Sequence, residues 1–421
     1  MTLGFFLQPL LQSLASPLAA FGLHFHLDLA QRARASRLGA HRVPWVVVAA
    51  LATRATGFAL YYGGSVKMRP IRRRVCFYDC AACLCGLQRL DPLNITTELD
   101  HVMKRIAPAL LGLITLVSTS AFAAELKYSI VPGFFEKDPE QKPLGPCHGG
   151  TVIDKAGNIY VTTDTKRGIV IFSSAGKFLR AVGPTRIHAR EIREENGTEF
   201  IYAARPSDHE VVKLRLDGTQ EWVLHFPEES GLYKDAKGFN PCAVTVAPDG
   251  SIFVADGYGS NFVLKFDKDR KFVKAFGGPG KEEGKFQTCH GIGLDLRQGR
   301  PLLLVCNRNN NRVEHWDLDG NFVKVIQKDL RMPAAVHIRG EYAVFPELQG
   351  RVTVLDKDGH IVAQVGDNPV ASQRANFGLA QDQWKDGICN SPHGASMDKA
   401  GNLIVSEWSQ FGHLHKFARE K

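Results

Sequence analysis

From His148 onward the chain repeats one unit six times: a loop, a short apolar strand, a tight turn, a second β-rich strand, then two more strands about another turn. The copies open at His148, His188, Pro241, His290, Pro333 and Pro392. A unit of four short strands cannot bury its own apolar face, so the copies have to stack. Four strands per copy at a spacing of roughly 40–55 residues predict an all-β fold, a six-bladed β-propeller. The Asp-Gly pairs at 217–218, 249–250, 319–320 and 358–359 read as hairpin turns, not as ligands. The sixth copy lacks an outermost strand. "ELKYSIVPGFF" (Glu125–Phe135) lies at the other end of the repeats and is expected to supply it, closing the ring. Longer inserts at 226–240, 278–288 and 367–389 are expected to wall one face. The glycines of "GGPGKEEG" fall in one of these inserts without a strand-to-helix context, so they are not a phosphate loop.

The propeller is expected to span 125–421, and what precedes it has a different character. "MKRIAPALLGLITLVSTSAFAAE" begins with a basic pair (Lys104, Arg105), runs through apolar residues from Ile106 to Val117, and ends on an A-x-A site at Ala121–Ala123. This is the layout of a secretory signal peptide at 103–123, and its apolar run is shorter than the ~20 residues a membrane span needs. Residues 1–102 then read as a mis-called or disordered extension upstream of the true start at Met103. That extension contains "RPIRRRV", the cluster "CFYDCAACLC", and no sustained period. The four cysteines there, Cys76, Cys80, Cys83 and Cys85, lack the paired partner cluster that a metal knot requires. A membrane anchor around 43–62 is the rival reading, and Arg54 interrupts it.

Charge follows the same division. The net charge of +9 would suggest nucleic acid as a partner, but residues 1–105 hold 13 of the 52 Lys/Arg and only 5 of the 43 Asp/Glu. The repeats are almost neutral, so neither nucleic acid nor stable membrane insertion is expected. The expected protein is an exported monomer, periplasmic or secreted. Its five remaining cysteines, Cys147, Cys242, Cys289, Cys306 and Cys389, allow at most two disulfides.

Aligning the copies on the first residue of the turn exposes a recurring slot five residues upstream. It holds His188, His290 and His393 in copies two, four and six, and Cys242 and Ala334 in copies three and five. In the first copy it holds Gly149, with His148 one place earlier, out of register unless a bulge re-aims it. Equivalent positions at the head of each innermost strand form a ring around a propeller's axis. Three imidazoles from alternate blades, converging with one position open, make the arrangement of a catalytic zinc site, although another divalent metal would serve. His209, His225, His315, His337, His360, His413 and His415 share no slot and read as ordinary blade or surface residues.

A second ring follows the second strand of each copy: Asp164, Arg205, Asp256, Asn307, Glu347 and Glu407. Close to it stand Tyr258 in "DGYGSN" and Arg308 in "CNRNNNR". Tyr258 is a candidate to act as base or to polarise a hydroxyl, and Arg308 to grip a carboxylate through two parallel bonds.

The residues "VADGYGSNFVLKFDKDRKFVKAFGGPGKEEGKFQTCHGIGLD", "NRNNNRVEHWDLDG" and "PHGASMDKAGNLIV" carry a resemblance to NHL-type propellers. Within these, they are similar to peptidyl-α-hydroxyglycine α-amidating lyase (peptidylamidoglycolate lyase). The resemblance covers roughly 125–421. It implies a zinc held in the channel by His188, His290 and His393, with Tyr258 and Arg308 at the substrate. It also implies cleavage of a small or peptide carbinolamide to an amide and glyoxylate. Three departures stand out. Gly394 follows the third histidine where the family has a calcium-binding aspartate, so calcium is not expected. Asp164 occupies the place of a first-blade arginine, with Arg167 only nearby. Gly259 follows Tyr258 where the family has a disulfide cysteine. A non-catalytic NHL propeller that binds a protein or carbohydrate at its loop face is the alternative.

Overall fold

The computed structural model describes residues 125–137 and 143–421. Within them, six four-stranded antiparallel sheets each correspond to one sequence copy. Five sheets use four consecutive strands. The sixth takes Pro392–Met397, Leu403–Glu407 and His413–Arg419, then borrows Tyr128–Ile130 on its outer edge. Tyr128 pairs with Arg419 and Ile130 with Phe417, so the first and last described strands close the ring as expected. The expected extension (1–102) and signal peptide (103–123), with the Cys76–Cys85 cluster, lie outside the described residues. Among the described residues, no helix is long and apolar enough to cross a membrane.

Burial falls from axis to rim for a reason visible in the composition of each strand. In the third blade, Ala243–Val246 and Ile252–Ala255 are continuous apolar runs and wholly buried, because strands near the axis are covered by a neighbouring blade on both faces. The outermost strand Phe272–Gly277 is only partly buried, with Val273 and Lys274 exposed. The core lies between adjacent blades. Phe253 and Val263 of blade 3 pack with Leu303, Val305 and Trp316 of blade 4, and Phe286 from the 278–288 insert fills the same layer. Phe239 and Tyr233 anchor the 226–240 insert to the layer between blades 2 and 3. The Asp-Gly pairs form the expected turns. Gly218, Gly250, Gly320 and Gly359 have φ of 89°, 86°, 79° and 93°, a region open mainly to glycine.

Near the axis, the innermost strands approach until only glycine fits. A Cβ at Gly394 would stand 2.1 Å from the Cα of Gly150, and one at Gly291 would stand 2.8 Å from the Cα of Ala335. The absence of a carboxylate after His393 therefore has a steric cause, since no side chain fits there. Gly259 is similarly confined, between the Gly238 carbonyl and the Asp256 carboxylate. All five cysteines of the propeller are buried free thiols, so neither of the two disulfides that the count allowed is formed.

Candidate metal centre

His290 and His393 sit where their innermost strands begin, and those strands are irregular there. In blade 4, Cys289 pairs with Asn307 and Gly291 with Cys306, which leaves His290 as an extra residue between them. In blade 6, Pro392 pairs with Glu407 and Gly394 with Ser406, which leaves His393 in the same position. A bulge of this kind re-aims the side chain it carries. Here the result is that His188, His290 and His393, all buried, meet at the axis: their ring centroids are 4.6, 5.1 and 4.9 Å apart for 188–290, 188–393 and 290–393.

The intervening blades orient these rings. His188 Nδ1 lies 2.7 Å from the Cys242 carbonyl, and His290 Nδ1 lies 2.5 Å from the Ala334 carbonyl. Cys242 and Ala334 are the slot residues of blades 3 and 5, so the odd blades hold the histidines of the even ones through their backbones. His393 takes its backbone partner from His148 in blade 1. A carbonyl can only accept, so Nδ1 of His188 and of His290 must carry the proton, and Nε2 of each faces the centre.

Tyr258 closes the arrangement. Its hydroxyl lies 3.1 Å from His188 Nε2 and 2.9 Å from His290 Nε2, and it accepts a hydrogen bond from Arg308 Nη1 at 3.1 Å. The Arg308 guanidinium also lies over the phenol ring, 5.4 Å from its centroid. Although 40% of Tyr258 is exposed, its hydroxyl end is wedged between the two imidazoles, and burial pushes the phenol up to about 12. Burial likewise holds all three imidazoles well below their usual range, with neighbouring histidines and Arg308 adding to the effect. At neutral pH, both Nε2 atoms therefore present lone pairs to one hydroxyl that owns one proton. The phenol satisfies one of them, and the other is left facing an oxygen lone pair.

The donor set fits a borderline divalent cation such as zinc: neutral imidazoles, their far nitrogens anchored, and a lone pair lacking a proton partner. Two overlapping groups share His188 and have ligand atoms within 4.8 Å of one another: His148 with His188 and His393, and His188 with Cys242 and His290. His148, set aside by register, thus stands in the cluster, 4.6 Å from the His188 ring and 4.8 Å from the His393 ring. Its other face stacks on Trp408 at 5.2 Å, and Phe377 from the 367–389 insert extends that wall, 4.9 Å from Trp408. Sequence register could not show this, because Gly150 turns with φ of 79° immediately before the strand.

Five of the six second-ring residues do not line the site; the exception is Asp164, whose Oδ2 lies 3.4 Å from His148 Nδ1. Asp256 accepts from Asn240 N–H at 2.7 Å, Asn307 from Gln287 N–H at 2.9 Å, and Glu347 from Arg331 N–H. Glu407 accepts from the N–H groups of Asn390 and Ser391, and Arg205 donates to the Thr185 carbonyl at 3.2 Å. Each ties down the loop that enters its own blade, two or three residues ahead of the slot. A separate buried trio, Cys389, Glu407 and His415, is explained by this tether, since the Glu407 carboxylate is already committed to backbone. His315 similarly rests on Asp295 at 2.9 Å, as an ordinary blade residue.

Fold and centre together define a six-bladed β-propeller with a histidine cluster at its axis. In sequence the chain is similar to a probable peptidyl-alpha-hydroxyglycine alpha-amidating lyase of Caenorhabditis elegans, 24% identical over 205 residues, covering 47% of this chain and 55% of that one. It is also similar to peptidyl-glycine alpha-amidating monooxygenase A of Xenopus laevis, 26% identical over 198 residues, covering 45% of this chain and 19% of that one. The chain thus spans about half the length of one relative and a fifth of the other. No family model matches it. Among solved structures, a streptogramin B lyase covers 70% of this chain and 98% of its own, at a TM-score of 0.47 and 15% identity. A virginiamycin B lyase from Staphylococcus aureus gives 0.47 and 14%, covering 70% and 99%.

Proposed function

We propose that this protein is a metal-dependent carbon–nitrogen lyase that cleaves a hydroxylated amide, an N-acyl α-hydroxyglycine or a related small α-hydroxy compound. The observation that carries the reading is the lone-pair conflict at Tyr258, where two neutral imidazole Nε2 atoms converge on a hydroxyl with one proton. A divalent ion resolves this conflict, and zinc is the proposed ion, held by His188, His290 and His393. When bound, it supplies Lewis acidity that polarises a carbonyl or hydroxyl oxygen.

The residues of the chain assign the remaining tasks. Arg308 is exposed enough to receive a carboxylate, and its guanidinium can offer two parallel donors to it. Tyr258, held as a neutral phenol, serves as a donor at the reacting hydroxyl or leaving nitrogen. Cleavage moves the hydroxyl proton away as the C=O bond forms and the C–N bond breaks, and the nitrogen gains a proton to leave as the primary amide. Phe377 and Trp408 give an acyl or peptide chain an apolar wall. Export, read from the secretory layout at 103–123, is part of the proposal and is tested by N-terminal sequencing of the protein recovered outside the cytoplasm.

The test is glyoxylate release from an N-acyl α-hydroxyglycine by the purified zinc-loaded protein, with Tyr258→Phe as the comparison. Release that falls at least tenfold in the variant is expected. A zinc-loaded protein that releases no glyoxylate from any N-acyl α-hydroxyglycine, but binds a protein or glycan, supports the non-catalytic alternative.

A further inference from the structure

We propose that His148 is a fourth metal ligand, oriented by Asp164, so that the ion is held by histidines from blades 1, 2, 4 and 6. This rests on the metal reading above and adds to it a ligand and a positioning residue; a substrate oxygen would then join as a fifth ligand or displace one imidazole. Three observations converge. First, one ligand atom from each of His148, His188 and His393 lies within 4.8 Å of the others. Zinc–nitrogen bonds of about 2.0–2.1 Å need roughly 3.4 Å between nitrogens, so these three rings would each close by at most about 0.7 Å along the line to each neighbour. Second, His148 Nδ1 lies 3.4 Å from Asp164 Oδ2, while its ring packs edge-to-face with His188 and His393. The other three histidines are anchored on a backbone partner. A ligating histidine characteristically gives its far nitrogen to such an acceptor.

Third, the Asp164 side chain departs from the pattern of its ring, while its N–H still donates to the Pro146 carbonyl at 2.9 Å. Its five counterparts tether the incoming loop through a backbone group two or three residues before the slot. In blade 1, the residue three before the slot is Pro146, which has no N–H to give, and the N–H of Cys147, two before it, donates to the Glu407 carbonyl at 3.3 Å. The Asp164 carboxylate turns instead to the His148 ring. Cys242, whose sulfur is also near His188 and His290, belongs to the scaffold. Its carbonyl holds His188 on the Nδ1 side, and burial pushes its thiol up.

X-ray absorption at the zinc edge counts the imidazoles, and chelator competition gives the affinity. Both are measured on the full chain loaded with zinc, for the wild type, His148→Ala and Asp164→Asn. The expected result is four imidazoles in the wild type and three in His148→Ala, with affinity about a hundredfold weaker. Asp164→Asn should keep four imidazoles and bind zinc roughly 10–100-fold more weakly. Three imidazoles in the wild type, with His148→Ala within twofold in affinity, overturn the fourth ligand and leave the three-histidine centre standing. A wild type that binds no zinc overturns both. If His148→Ala does not fold, Asp164→Asn carries the test, because it preserves volume: unchanged affinity in that variant refutes the proposal.

Discussion

Replacing His290 by alanine separates a metal centre from a merely packed histidine cluster. His290 is 1% exposed, its Nδ1 donates to the Ala334 carbonyl, and its Nε2 lies 2.9 Å from Tyr258. Two costs follow, and they differ in kind. Without metal, the variant leaves a buried carbonyl unpaired, which costs about 1–3 kcal/mol whether or not a metal ever binds. With metal, it loses a ligand. Zinc sites with four ligands are worth about 10–16 kcal/mol, so one ligand is worth ~3 kcal/mol, or about a hundredfold in affinity. At free zinc one hundred times the wild-type Kd, binding stabilises the wild type by about 2.7 kcal/mol and the variant by only ~0.4 kcal/mol. At ~2–3 °C per kcal/mol for a domain of this size, the zinc-induced rise in Tm should be about 5–8 °C in the wild type and ~1 °C in His290→Ala. Thermal denaturation with and without zinc, each protein compared with its own metal-free state, removes the structural cost from the comparison. A variant that keeps the wild-type zinc-induced rise would refute the assignment.

Four further outcomes are expected. Gly394→Ala should lower the unfolding midpoint by an amount set by overpacking, about 1–3 kcal/mol or more, since its Cβ would meet Gly150 at 2.1 Å; a neutral result in chemical denaturation contradicts the close approach at the axis. Arg308→Ala should raise KM for a carboxylate substrate about 10–150-fold, the loss of a charge-assisted pair, while KM for an uncharged analogue should rise far less, through the lost bond to Tyr258 alone. A chain beginning at residue 132 lacks the closing strand Tyr128–Ile130 and should unfold at lower denaturant and less cooperatively than the full chain. Burial pushes the Glu191 carboxyl up to about 7 despite its bonds from Thr245 and Val246, so the folded state binds the extra proton between roughly pH 4.5 and 7. Stability should therefore fall as pH rises through that window and level off above it, and Glu191→Gln should flatten the slope; equal slopes in both proteins would contradict it.

How much of this was legible in the sequence depends on the kind of interaction. The blades were legible because each copy repeats its turns and its apolar runs, and the closing strand was legible because the sixth copy is one strand short. The slot of His188, His290 and His393 was legible because register along a repeat is a sequence property. Three features were not. The bulges that aim His290 and His393 at the axis are backbone irregularities without a residue signature. The entry of His148 depends on the turn at Gly150, which lies off the register used to align the copies. The second ring was legible as a recurring position but not its task, because its partners are mostly backbone groups, which leave no trace in side-chain identity.

The most direct measurement is the metal content of the purified full chain after equilibrium dialysis against excess zinc and then against metal-free buffer. About one tightly held ion per chain is expected, falling to essentially none when His188 and His393 are both replaced by alanine. Retention well below one ion in the wild type, or equal retention in the double variant, would contradict a histidine metal centre at the axis of this propeller.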